Sequence, residues 1–440
     1  MLTPSLVMAM TKGVAAPPMM PPDEFAFEKE VSCQKKLWPR DLVLGLLPLL
    51  IGFEVLLGTM VFLPFGLRGF VDFRQLYSGG YMVRTGHASQ LYDYDAQQSI
   101  EETLVPVGQH YPLPINHLAF EELLFVPLSL LPYRSAYLVF MGFNGLLLAL
   151  SAWLLTLTAG GLDARWKWFP ALLMLSFYPV TRALLEGQDS IILLSLLAAA
   201  YWSLHRKWEF AAGFLIGCGL FKFQVTVPIA LLYLVWRRWR FSAGFAVSGA
   251  AAGLVSLWLV GLSGAREYAH MLTSMSVRLT TESGIFRYGT DPRAMFNLRG
   301  LASAVFGSML SPGLIQLLVL AASAAVLLLA SRQQASLPLA TTAASLVSYH
   351  FFAHDASVLI LPMAVALCAG TVWVAAAAAM LLIASVSAII LAHGYLGAIP
   401  LLVFYLAMLR KTPPLMPDRQ EPGHQVMAGG AALAKGNPCQ

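Results

Sequence analysis

Few ionisable residues interrupt the apolar stretches of this chain, and those few suggest chemistry. Asp72 lies in Gly69-Phe-Val-Asp-Phe-Arg-Gln-Leu-Tyr-Ser-Gly-Gly80, flanked by Phe70, Val71 and Phe73. A carboxylate among such neighbours is partly desolvated and within reach of an amphipathic substrate, though a solvated loop acid is the plainer alternative. Lys222 interrupts Gly213-Phe-Leu-Ile-Gly-Cys-Gly-Leu-Phe-Lys-Phe-Gln-Val-Thr-Val-Pro228. At mid-bilayer a lysine costs about 2.5–3.5 kcal/mol; at an outer turn it can meet a lipid phosphate as a point charge, or merely snorkel to water. Arg182, Glu186, Gln188 and Asp189 crowd one turn. Arg182 and Glu186 have the spacing of a helical ion pair, and Gly187-Gln188 reads as a helix break that presents a hydrogen-bonding side chain. His350 and His354 have the i, i+4 spacing of metal ligands but no third ligand nearby in sequence, so hydrogen bonding to substrate or to other helices is the better reading. Asp93-Tyr-Asp95 has the D-x-D form that can hold a divalent metal beside a phosphate, a pattern that also arises by chance. Glu54, inside an apolar run, is expected to face a neighbouring helix.

The elements that carry these residues are membrane helices. Of 440 residues, 58% are hydrophobic and 12% charged, against about 45–50% and about 25% in soluble domains. A soluble enzyme is excluded, and the net charge of +5 is dispersed, which excludes a nucleic-acid-binding surface. Cys33, Cys218, Cys368 and Cys439 are too scattered for a zinc motif and give no support for disulfides. Residues 1–40 have no apolar core of signal-peptide length; they and 411–440 are expected to be disordered cytoplasmic tails around a membrane domain at 41–410. Apolar runs of crossing length, about 20 residues, or somewhat shorter start at 42–67 and resume from 135 to 409. They predict an all-α polytopic fold of about 12 spans, with both termini inside and a multi-pass location in the cell membrane. Runs 209–221 and 224–236 are short and read as half-helices. Residues 68–134 form a large extracytoplasmic first loop, in which 116–132 are expected to be an amphipathic helix on the membrane surface; 263–299 form a second. Basic residues concentrate at the short loops expected to be cytoplasmic, as in His205-Arg-Lys207 and Arg237-Arg-Trp-Arg240.

With these elements in place, the segment from Asp72 through Gly86-His-Ala-Ser-Gln-Leu-Tyr-Asp93 resembles the first loop of glycosyltransferase family 87, membrane proteins of the GT-C type. Tyr111-Pro-Leu-Pro114 with Leu123 to Pro132 resembles the family's proline-containing surface helix, and Glu186-Gly-Gln-Asp189 its Gly-Gln turn. Ala212 to Lys222, closed by Arg237-Arg-Trp-Arg240, is similar to its helix pair with a basic end. Asn297-Leu-Arg-Gly-Leu301 and Ser348-Tyr-His to His354, followed by Leu359-Ile-Leu-Pro362, resemble later segments. The similarity runs in order from about 70 to 365. Gln224 stands where a proline often follows the lysine.

The resemblance implies a transferase that moves a hexose, mannose being the expected sugar, from a polyprenyl-phosphate donor to a hydroxyl of a glycolipid, glycan or protein acceptor outside the membrane. Asp72 would be the general base. Lys222, helped by Arg182 or an arginine of the second loop, would stabilise the leaving phosphate, with Gln188 and His354 binding substrate. No nucleotide-binding motif and no cofactor is expected, apart from a divalent metal if Asp93 and Asp95 hold one. The competing class is a twelve-span solute transporter, against which stands the absence of matching motifs in the two halves.

Overall fold

The computed structural model describes residues 39–105, 113–158, 167–274, 291–369, 372–390 and 393–410. The two predicted tails and the middle of the second loop lie outside the described residues. The described residues are mostly helical, without strands. Helix α1 (Pro39–Leu57) runs through a π-turn (Gly58–Phe62) into α2 (Leu63–Arg68), and α3 (Phe73–Arg84) and α4 (Tyr94–Leu104) follow. Then come α5 (Tyr133–Thr158), α6 (Phe169–Leu175), α7 (Tyr178–Leu185), α8 (Ser190–His205), α9 (Glu209–Cys218), α10 (Phe223–Val235) and α11 (Trp239–Ser274). The chain continues with α12 (Leu298–Phe306), α13 (Pro312–Ser331), α14 (Leu337–Val347), α15 (Ile360–Ala369), α16 (Val372–Ile390) and α17 (Tyr395–Arg410).

Four stretches among the described residues are helical, long and apolar enough to cross a bilayer: Val43–Arg84, Tyr133–Thr158, Trp239–Thr273 and Pro312–Ser331. They present large apolar side chains outward, among them Leu146, Trp153, Trp258 and Leu320, as lipid-facing helices do and soluble ones do not. A fifth crossing arises if α9 and the Leu220–Val235 helix, bent by 66° at Gly219, count as one broken span. Most of the other apolar runs form helices of 10–17 residues, shorter than a straight crossing. The expected run 168–186 is two short helices, α6 and α7, parted at Ser176 and Phe177.

Two expectations change. The surface helix at 116–132 is instead a pair of 3-10 turns, Ala119–Leu124 and Leu128–Leu130. Its acids are not on the water side: Glu121 and Glu122 are fully buried, while Leu123, Leu124, Leu130 and Leu131 are exposed. Glu121 pairs with His117 inside the protein and Glu122 is buried beside it, while the leucines face outward, which inverts the amphipathic reading. The first part of the expected loop 263–299 is helical, because α11 continues to Ser274 beyond a non-helical residue, Gly261.

Helices α9 and α11 make a close crossing through small residues. A Cβ on Gly213 would meet the Phe241 carbonyl, one on Gly217 would meet Ser248 Oγ, and one on Gly244 would meet the Phe210 carbonyl. Small residues four apart on both helices are the usual device for close packing in lipid. Gly244→Val is therefore expected to cost about 1–3 kcal/mol, read as a lower melting temperature in detergent; an unchanged value would contradict the backbone contact.

Candidate active site

Two left-handed glycine caps build the first half of the site. Gly69 (φ 89°) ends α2, with Phe70 N–H donating to the Phe65 carbonyl, a six-to-one closure that turns the chain sharply. Asp72 follows at the start of α3 without capping it. Gly187 (φ 63°) ends α7 in the same way, with Gln188 N–H donating to the Ala183 carbonyl. A Cβ at Gly187 would lie 2.6 Å from Phe73 Cβ, so only glycine lets the two turns meet. Phe73 N–H donates to the Glu186 carbonyl at 3.0 Å, and Gln188 Nε2 donates to Asp72 Oδ2. Phe73 anchors this junction from below, stacked on Phe140 at 5.3 Å and beside Tyr133 and Tyr137.

Glu186 joins the turns to the late loop. It accepts from Arg182 Nε at 2.8 Å and is bonded to His354 Nδ1 at 2.9 Å. Burial works to raise its pKa, but the Arg182 charge and the His354 bond outweigh burial and hold it at about 2. A depressed carboxylate stabilises the fold above its unfolded value, near 4.5, and loses that contribution as pH falls towards about 2. The melting-temperature gap between wild type and Glu186→Gln is therefore expected to be constant above about pH 4.5 and to shrink below it; a gap that widens with acid would contradict the ion pair.

Lys222 lies at the α9–α10 bend, 3% exposed. Its Nζ pairs with Asp189 Oδ1 at 2.9 Å and with Asp355 Oδ1 at 2.8 Å. Asp355 also accepts from Ser190 Oγ at 3.0 Å and from Phe352 N–H at 2.9 Å. The lysine is thus internal and doubly paired, not a snorkelling anchor. On its far side His117 Nδ1 lies 2.6 Å from Glu121 Oε2 and 3.3 Å from Asp189 Oδ2. Burial opposes a charge on His117, but the Glu121 and Asp189 carboxylates facing it lift its pKa above the usual value. Burial, then the charges of Glu121 and Asp189, push Glu122 well above the carboxylate range.

The structure thus brings together Asp72, Gln188, Arg182 and His354, and links them through Asp355 to Lys222. It leaves the D-x-D pair apart: the Asp93 carboxylate accepts from Asp95 N–H and Ala96 N–H as the N-cap of α4. His350 and His354 share no helix face, because α14 ends at Val347 and both lie in the following loop; the His350 ring lies against Phe352. Glu54 is 2% exposed and lines an apolar cavity between α1, α5, α6 and α7. Sequence reasoning missed His117, Glu121 and Asp355 as members of the cluster. The i, i+4 spacing of His117 and Glu121 was the available signal.

Two groups of ligand-type side chains converge among the described residues: Asp72, Glu186 and His354, and His117, Glu121 and Asp189. In the first, Arg182 pairs with Glu186 and Gln188 donates to Asp72. Within it Asp72 is the half-buried acid, in contact with a neutral amide, whereas Glu186 is spoken for by an arginine and a histidine. A base beside apolar surface, with cations behind it, can take a proton from a hydroxyl while those cations steady a departing anion.

The geometry thus sets a polar cluster beside the apolar helices of a membrane protein. The model of glycosyltransferase family 87 matches residues 120–362, more than half of the chain, and the protein belongs to this family of membrane glycosyltransferases. The match takes in Arg182, Gln188, Lys222, His354 and Asp355; Asp72 and His117 precede it. No curated protein and no solved structure matches the chain.

Proposed function

We propose that this glycosyltransferase moves a hexose, mannose in the reading the resemblance favours, from a polyprenyl-phosphate sugar to an acceptor hydroxyl on the extracytoplasmic face of the cell membrane. The observation that carries the reading is the setting of Asp72: a half-buried carboxylate at the turn between α2 and α3, held by Gln188, while Arg182 pairs with the neighbouring Glu186. The acceptor oxygen attacks the anomeric carbon and its proton passes to Asp72. The bond from that carbon to the phosphate oxygen breaks, and its electron pair leaves on the lipid phosphate, an anion stable enough to depart unprotonated. Arg182, 35% exposed at its side chain, is the accessible cation for that phosphate. Lys222 acts from within, fixing Asp189 and Asp355 on either side of it.

The isoprenoid chain is assigned to the apolar cavity of about 570 Å³ lined by Ile51, Val55, Leu148, Met174, Leu184 and Leu185. Leu184 and Leu185 neighbour Arg182 and Glu186 along α7, so a chain there places its phosphate beside the cluster. Leu184→Trp, which fills the cavity, is expected to raise the donor KM by roughly tenfold, the effect of about 1.4 kcal/mol of lost binding, with the acceptor KM unchanged. An unaltered donor KM would move the lipid chain elsewhere. The function as a whole is tested by mass spectrometry of membrane glycolipids with and without the gene. A product one hexose heavier should vanish and its precursor accumulate; identical lipid and glycan profiles would contradict the reading.

A further inference from the structure

We propose that His117, Glu121 and Asp189 bind a divalent cation. Their ligand atoms, one imidazole nitrogen and two carboxylate oxygens, all lie within 4.8 Å of one another. The imidazole Nδ1 stands 2.6 Å from Glu121 Oε2 and 3.3 Å from Asp189 Oδ2. Ligands at about 2.1 Å from one tetrahedral ion stand about 3.4 Å apart, so small side-chain shifts suffice. A single Nδ1 proton can serve only one of the two oxygens, whereas a cation serves both.

The charge balance points the same way. Lys222 is divided between Asp189 and Asp355, which by themselves outnumber it. Glu121 and Glu122 add two further carboxyls, both fully buried, and neither Glu122 oxygen has a hydrogen-bond partner. Unpaired buried acids are costly, and four carboxyls beside one lysine and one histidine must either keep protons or take up a cation. Lys222 does not block the site, because it takes Asp189 Oδ1 and leaves Oδ2 facing His117.

The scaffold holds the triad in advance. Tyr92 OH donates to the His117 carbonyl at 2.8 Å, Gln97 Oε1 accepts from Ile115 N–H at 2.8 Å, and Ser256 Oγ accepts from Phe120 N–H at 3.0 Å. These bonds fix 115–121 between α4 and α11 before any ion arrives, and such supporting contacts strengthen metal sites. One nitrogen among oxygens suits Mn²⁺ or Zn²⁺ better than Mg²⁺. The ion would supply positive charge beside Lys222 for a lipid phosphate; that consequence rests on the proposed function, whereas the binding does not.

Full-length protein in nanodiscs, stripped with EDTA, is titrated with Mn²⁺ while free Mn²⁺ is followed by electron paramagnetic resonance. The expected result is one ion bound per protein, with affinity at least about tenfold weaker in His117→Ala and in Glu121→Gln, and retained in His354→Ala and Asp72→Asn. Glu121→Gln keeps the side-chain shape, so it serves if the histidine variant does not fold. Mn²⁺ should also raise the melting temperature of the wild type. A wild type that leaves the free signal unchanged, or binding lost in His354→Ala and kept in Glu121→Gln, overturns the proposal. Because no sugar transfer is measured, a protein that binds Mn²⁺ and transfers nothing would count against the proposed function alone.

Discussion

Asp72→Asn is expected to fold, to bind the polyprenyl-phosphate sugar, and to transfer it at least about 10²-fold more slowly than wild type, within the range usual for loss of a general base. The substitution keeps an oxygen that can accept from Gln188 Nε2, so the junction of the two glycine-capped turns survives. What disappears is the ability to take a proton at the start of α3. Size exclusion in detergent reads the fold, donor binding reads the ground state, and product formation reads the base. Unimpaired transfer by Asp72→Asn would move the base elsewhere. Glu186 is then the nearest carboxylate with a geometry for it, although Arg182 and His354 hold it strongly ionised. A loss restored by added Mn²⁺ would give Asp72 a metal-bridging role instead.

Lys222→Ala should act on both stability and turnover. The side chain is 3% exposed and ties Asp189 to Asp355. Removing one member of a buried ion pair typically costs about 3–5 kcal/mol, because the partner charges stay behind. A large fall in melting temperature is expected, with transfer lost. Adding Asp355→Asn to Lys222→Ala should return part of the stability by removing one orphaned charge, yet no transfer, since the α8 turn has lost its tether. Lys222→Ala as stable as wild type would contradict the buried network and leave a surface lysine.

Most of the helical segments were legible from apolar runs, because lipid imposes a continuous requirement that hydropathy reads directly. Where a run divides into shorter helices was less so. The run 168–186 looks continuous in composition, yet α6 and α7 part at Ser176 and Phe177, whereas the break within 209–236 was legible, its two short runs reading as half-helices. At the site, Asp72, Gln188 and Lys222 stood out because each interrupts an apolar context at a turn. The cluster at His117 did not, since its meaning depends on which side of 116–132 faces the protein. Two adjacent glutamates next to leucines fit a water-facing strip as well as a buried one; only packing against α3 and α11 decides. The D-x-D pair reads as a motif in sequence, and the fold uses Asp93 as the N-cap of α4.

The central claim is tested most directly by giving the purified wild type, in nanodiscs, a polyprenyl-phosphate mannose labelled in the sugar, together with a membrane extract of acceptors. The account predicts that label leaves the donor and appears in a glycosylated product, and that Asp72→Asn leaves the label almost entirely on the donor. Label that stays on the lipid with every hexosyl donor offered, alongside saturable solute uptake by the same protein in proteoliposomes, would contradict it.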